Sequence, residues 1–201
     1  MHSEGEDGLT SNPVYKILPK QFYIRDSEIV AQKLLGKILI RKLDSKLLTG
    51  KIVETEAYYS EGDPAFRKDF LPKILSFEPG TAFIYMVHAS WLLNIISYDK
   101  IFGGVLIRAI EPIEGIDVMK KFRRIESTSN LTNGPGKLTK AMCITKDLNG
   151  LKVFDKRSML NVCSGNGEKI EIVSSYRIGV KRDLDRKLRF FISGNSFVSK
   201  H

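Results

Sequence analysis

Two glutamates two residues apart offer the first chemistry: Glu54 and Glu56 in Val53-Glu54-Thr55-Glu56-Ala57-Tyr58. The flanking residues are apolar, β-branched or aromatic, as in a strand, and alternate residues of a strand share a face. Ile52, Glu54, Glu56 and Tyr58 are therefore expected on one face, with Val53, Thr55, Ala57 and Tyr59 on the other. Two carboxylates beside an aromatic ring suit a solvated sheet face, where alternating glutamate is common. They equally suit a buried base that activates water, provided an arginine holds it. Arg108, mid-strand in Leu106-Ile107-Arg108-Ala109-Ile110-Glu111-Pro112, could be that partner, or could face a phosphate or solvent. Asn94, between Leu93 and Ile95, is either a satisfied core amide or a reader of a base edge.

Gly134-Pro135-Gly136-Lys137-Leu138 is a different device. Proline just inside a helix start leaves backbone N–H groups free, and Lys137 adds charge, an arrangement that suits a phosphate. A tight turn before a helix is the plainer reading, and the spacing is not that of a nucleotide-binding P-loop. Tyr58, Tyr59, Phe83, Tyr85, Phe190 and Phe191 could stack on bases or fill a core. No Gly-x-Ser-x-Gly elbow, Cys-His pair or dinucleotide fingerprint occurs, which argues against serine hydrolases, cysteine proteases and Rossmann-type nicotinamide enzymes. Of three histidines, His2 and His201 lie near the ends, so no histidine-based zinc site is expected.

The elements that must position these residues follow from periodicity. Asp26 to Leu35 has helical spacing, with Asp26 as N-cap and Gly36 as stop. Lys37–Leu43 and Leu48–Tyr59 read as strands joined by a turn at Asp44-Ser45-Lys46. Ser60 to Pro79, with Gly62, Pro64, Pro72 and Pro79, reads as a long loop of the kind that carries function. Ala82–Val87 and Trp91–Ser97 form a hairpin turning at His88-Ala89-Ser90, and Gly104–Ile110 is a further strand. A helix is expected from near Pro112, with Ile113, Ile116, Met119 and Phe122 on one side. A second helix starts at Gly134-Pro135-Gly136, and Lys169–Ser174 and Leu188–Ile192 close the chain as strands. The expected architecture is mixed α/β, one domain with a curved, mainly antiparallel sheet and surrounding helices. A flexible tail over residues 1–18 precedes a catalytic domain over 19–201.

The chain has 201 residues, with 32 Lys and Arg against 23 Asp and Glu, a net charge of +9. The excess is uneven. Residues 1–63 hold 9 basic against 10 acidic residues, and residues 64–201 hold 23 against 13. A basic excess confined to two thirds of a chain fits either a polyanion-binding surface or a lysine-rich soluble protein. No run approaches the roughly 20 apolar residues of a membrane span. The acidic N-terminus reads as neither a secretory signal nor a transit peptide. Two cysteines without a scaffold pattern point to a reducing, intracellular compartment, cytoplasm or nucleoid.

Taken in order, the motifs resemble the alkyladenine (3-methyladenine) DNA glycosylase family. The resemblance runs through Leu34-Leu35-Gly36-Lys37, the Glu54–Glu56 segment, Asp63-Pro64-Ala65, Pro79-Gly80-Thr81 and Ile84-Tyr85. It continues through Asn94, Val105 to Pro112, Gly134 to Leu138, Arg177-Ile178-Gly179-Val180 and Leu188-Arg189-Phe190-Phe191. It covers about residues 20–199. The resemblance implies excision of alkylated or deaminated purines from double-stranded DNA by base flipping and hydrolysis, without metal or cofactor, by a protein expected to act as a monomer. It implies Glu56 as general base, Arg108 as the arginine holding the water and backbone, Tyr58 and Tyr85 as aromatic walls, and Asn94 as the pocket asparagine. With DNA as the implied partner, Gly134, Gly136 and Lys137 at the phosphate-suited helix start are the expected DNA contacts.

Three departures stand out. Where the family has a histidine after Asp-Pro-Ala, this chain has Arg67, which either lines the pocket or points outward. The loop that follows is shorter. The hairpin turn lacks the usual tyrosine, leaving His88 as the candidate wedge, or as an exposed turn residue. The competing reading is a lesion-binding protein with reduced or no turnover. A general nucleic-acid-binding module is a third, which would leave both glutamates unexplained.

Overall fold

The computed structural model describes residues 15–199. The chain runs α1 (Ser27–Leu34), β1 (Ile38–Leu43), β2 (Lys46–Tyr59), α2 (Leu71–Leu75), β3 (Ala82–Val87), β4 (Ser90–Tyr98) and β5 (Phe102–Glu114). Then come α3 (Ile116–Arg123), α4 (Pro135–Ala141), β6 (Leu160–Cys163), β7 (Ile172–Ser175) and β8 (Arg189–Ile192). The eight strands form one sheet in the order β3-β4-β5-β2-β1-β6, with β8 joined to both β2 and β7. Every pairing is antiparallel, which fulfils the mixed α/β expectation.

Alternation along the strands divides the sheet cleanly. Ala82, Ile84, Leu93, Ile95, Val105, Ile107 and Ala109 point into the main core. Phe83, Tyr85, Leu92, Asn94, Ile96, Gly104 and Leu106 face the opposite way and line a cleft. Helix α1 packs behind β2: the Asp26 carboxylate accepts from the Glu28 N–H at 2.8 Å, and Thr55 donates to the Ala31 carbonyl at 2.9 Å. A second small apolar cluster, Ile74, Phe83 and Ile96, gathers Phe70 and Tyr85 around it and anchors α2 against β3.

The long strand β2 changes partners halfway. Lys46–Lys51 pairs with β1, whereas Glu54–Glu56 pairs with β8. On the other edge, the register with β5 slips twice around the same residues. Val53 is an extra residue on β2, and Arg108 an extra residue on β5. A bulge bends a strand and re-aims a side chain, so the distortion is concentrated where Glu54, Glu56 and Arg108 meet. It also breaks the strict alternation: Ile52, expected beside Glu54, joins Val53 in the core.

Other expectations need correction. Ser60 to Pro79 is not all loop, since it carries a 3-10 turn at Lys68–Phe70 and α2. No helix begins at Pro112. Strand β5 runs through it, with Pro112 opposite Gly50 next to a register slip that spares the missing N–H. Ile113 is exposed, and the helix starts at Ile116, with Met119 buried. Strand β6 was not expected. Of the expected tail, residues 1–14 lie outside the described residues. Ile17 instead bridges Cys163, and the Leu18 N–H donates to the Val162 carbonyl.

Candidate active site

The cleft encloses about 1000 Å³. Its walls come from one face of β3, β4 and β5, from Tyr58 at the end of β2, from Pro64 to Phe70, and from Ile178 to Arg182. Tyr85 is propped by Phe70, ring centroids 4.6 Å apart, and by Phe83 at 5.2 Å. Burial raises the Tyr85 phenol above its ordinary range. Asn94 is buried in the same wall, and its Nδ2 has no hydrogen-bond partner. The amide makes no bond of normal length, but it lies near enough to the Tyr85 hydroxyl to pull that phenol part of the way back down, so it can turn to an acceptor in the cleft at little cost.

Behind Tyr58 and Arg108 lie the two glutamates, both fully buried. They are wired differently. Glu54 Oε1 accepts from Arg108 Nε at 2.9 Å, Arg189 Nε at 2.7 Å and the Ser199 hydroxyl at 2.8 Å, while Oε2 accepts from the Ser199 N–H at 2.7 Å. Burial pushes its carboxyl up, but Arg108, the Ser199 amide and Arg189 outweigh it and hold Glu54 below the usual range. Glu54 is thus an ionised anchor for two arginines.

Glu56 has fewer donors. Oε1 accepts from the Ile178 N–H at 2.7 Å and lies 3.2 Å from Arg108 Nη1, and Oε2 accepts from the Tyr58 hydroxyl at 2.7 Å. Here burial wins. It raises the carboxyl above its ordinary value despite Arg108, the Ile178 amide and Tyr58, and the Glu54 charge adds to the rise. A carboxylate moved toward neutrality and joined to an arginine is suited to take a proton. The Tyr58 phenol is raised too, by burial first and then by Glu56, so it stays a donor.

The remaining residues fall at the rim. Arg67 lines the cleft, with its guanidinium 4.3 Å from the Phe70 centroid and paired with Asp69 at 2.7 Å. The sequence left open whether it faces the pocket or points away; it faces the pocket mouth. His88 and Ala89 form a two-residue hairpin turn with φ of 45° and 59°, the left-handed pair that such turns require. His88 is exposed at the tip and also lines the cleft. Gly136 sits where α4 meets the hairpin: a Cβ there would come 2.7 Å from Ser90 Cβ. Lys137 turns away, donating to the Asn130 and Asn133 side-chain oxygens at 2.6 and 3.0 Å. Gly134 caps α4, and its neighbours Pro135 and Gly136 reach the cleft.

Several contributors escaped the sequence reading: the anchoring role of Glu54, its partners Arg189 and Ser199, the buried pair Asp63 and Arg177 with half-buried Asp183, and Lys181 and Arg182 on the cleft rim. Asp63 and Arg177 each sit in a segment that carries the resemblance, yet nothing local shows that they meet. No group of three or more His, Cys, Asp or Glu among the described residues could hold a metal ion, and no described helix is long and apolar enough to cross a membrane.

An aromatic cleft on an antiparallel sheet, with a buried glutamate–arginine pair behind one wall, is an arrangement suited to hydrolytic attack on a bound planar group. The comparisons agree with that class. Residues 21–196 match the methylpurine-DNA glycosylase family, and the chain belongs to it. It is 37% identical over 193 residues to a protein of Aeropyrum pernix, covering 92% of this chain and 94% of the relative. It is 39% identical over 202 residues to one of Clostridium perfringens strain SM101, covering 91% and 98%. Both relatives carry 3-methyladenine DNA glycosylase as a provisional name.

Proposed function

We propose that the protein is a monofunctional DNA glycosylase that flips a damaged purine of the 3-methyladenine class out of duplex DNA and hydrolyses its N-glycosidic bond. The observation that carries this is Glu56: a buried carboxyl raised by its surroundings, joined to Arg108, behind a cleft walled by Tyr58 and Tyr85. Bond cleavage builds positive charge at the anomeric carbon. An ionised Glu56 stabilises it and accepts a proton from the attacking water, while Arg108 keeps the carboxylate oriented. Asn94 Nδ2 meets an acceptor on the flipped base. Flipping costs a few kcal/mol and least for a weakly paired lesion, which adds selectivity. Lys181 and Arg182 on the rim hold phosphates, and His88 at the hairpin tip fills the gap left in the stack. This route calls for no metal or cofactor.

The test is release of free base from duplexes carrying methylated purines or hypoxanthine. Wild type is expected to release base and Glu56→Gln to release almost none; equal rates would refute the reading. Complete enclosure of Glu56 by Tyr58, Arg108 and Ile178 favours one second reading, a lesion-binding protein without turnover. It predicts tight, salt-sensitive binding to the damaged duplex and no released base from either protein.

A further inference from the structure

Arg177 is a heavily bonded cation near the cleft, yet no step of the reaction uses it. Its side chain is fully buried and all five of its N–H groups are taken. Nη1 donates to the Ala57 carbonyl at 3.0 Å and to Asp63 Oδ2 at 2.7 Å. Nη2 donates to Asp63 Oδ1 at 2.8 Å and to Asp183 Oδ1, and Nε donates to Asp183 Oδ1 at 2.9 Å. No donor remains for a phosphate or a base. Asp63 is in turn held by the Tyr59 and Ala65 N–H groups, so the clamp is rooted at the end of β2.

Two contacts link this clamp to the chemistry. The guanidinium lies 4.4 Å from the Tyr58 ring centroid. The backbone N–H of the next residue, Ile178, is the one that meets Glu56 Oε1 at 2.7 Å. Residues 176–188 contain no helix or strand, so no ladder fixes that peptide. What orients it is side-chain bonding: the Arg177 N–H donates to Asp183 Oδ2 at 3.3 Å while the Arg177 side chain grips Asp183 and Asp63. We propose that Arg177, clamped between Asp63 and Asp183, is a positioning residue that sets the Ile178 amide against Glu56 and the Tyr58 ring against the cleft. The proposal rests on the reading of Glu56 as the base.

The other groups facing Glu56 come from the sheet: Glu54 and Tyr58 from β2, Arg108 from β5, Tyr85 from β3 and Arg189 from β8. The amide is the contribution of the loop. An amide donor favours the charged carboxylate, so loosening it moves the Glu56 titration to higher pH, by about one to two pH units for one hydrogen bond to a charged group.

The titration of Glu56 is read by carboxyl carbon NMR on glutamate-labelled protein, which does not depend on turnover. It is assigned by comparison with Glu56→Gln. The variants are Arg177→Lys, which keeps a charge but puts three donors on one nitrogen in place of a planar fork of five, the nearly isosteric Asp183→Asn, and Ile178→Pro, which deletes the donor itself. All three are expected to titrate above wild type, and Arg177→Lys combined with Ile178→Pro to shift by less than the sum of the two single shifts. Should Ile178→Pro not fold, the first two variants still decide. Wild-type titration in Arg177→Lys and Asp183→Asn, with only a lowered melting temperature, would make the clamp a plain crosslink and overturn the proposal. Additive shifts in the double variant would also overturn it. Undiminished base release by Glu56→Gln would sink the function reading instead, without altering these titrations.

Discussion

Replacing Glu54 by glutamine should destabilise the protein far more than the same change at Glu56, two residues along the same strand. Glu54 accepts four hydrogen bonds, two of them from Arg108 and Arg189, and all three side chains are buried. Removing its charge leaves two buried arginines short of a carboxylate, and breaking a buried ion pair from one side costs about 3–5 kcal/mol. That is a large share of the roughly 5–15 kcal/mol by which a domain is stable. For a chain of this size it lowers Tm by about 6–20 °C. Glu56→Gln leaves Arg108 paired with Glu54, and the amide oxygen can still accept from the Ile178 N–H or the Tyr58 hydroxyl. It should cost less than about 1 kcal/mol. The pH dependence has opposite sign at the two sites. Glu54 is held below its unfolded value, so its contribution is complete above that value and is lost as pH falls through the folded one. Glu56 is raised, so the folded state binds its proton more readily than the unfolded chain does, and ionising it erodes stability as pH rises. Urea titrations of wild type and both variants at pH 7 and near pH 4 measure this. The Glu54→Gln deficit should shrink in acid. A Glu54→Gln loss no larger than that of Glu56→Gln at pH 7 would refute the division into anchor and base.

Two further outcomes come from the cleft rim. Lys181→Ala and Arg182→Ala should each lower the slope of log affinity against log salt by about 1 on intact duplex, as expected for one lost phosphate contact. Fluorescence anisotropy over a potassium chloride series measures it, and an unchanged slope in both would remove these residues from the DNA surface. Ala89→Gly should stabilise the protein by about 1 kcal/mol, because alanine is held at φ 59° where glycine is unstrained. A scanning calorimetry trace with Tm unchanged or lowered would show that the hairpin tip carries no such strain.

The hairpin was legible before any coordinates, but only the family resemblance put Tyr85 and Asn94 in one pocket. In the fold, Phe83, Tyr85 and Asn94 come together on paired strands, and they share a cleft wall. The helix reading at Pro112 failed for a definite reason. Proline at a helix start and apolar residues at 113, 116, 119 and 122 satisfy a helical pattern, but the ladder with β2 extends to Glu114 and overrides it. The local pattern was real and the tertiary pairing stronger.

The two glutamates show where local reading ends. Their identity and spacing point to chemistry, but alternation alone treats them as equivalents on one face. What separates them lies far away in the chain: Arg189 and Ser199 for Glu54, the Ile178 amide for Glu56, and a pair of bulges that bring Arg108 between them. The bulges have no compositional mark, since Val53 and Arg108 sit in runs that read as ordinary strand. Asp63 and Arg177 are 114 residues apart, so their meeting depends on the completed sheet. A site built at the point where β2 exchanges β1 for β8 draws on three strands and a loop at once. Such a junction moves the acidities of two carboxylates two residues apart in opposite directions: one held below the ordinary range by donors from the far end of the chain, the other raised by burial and left with one arginine, one phenol and one amide.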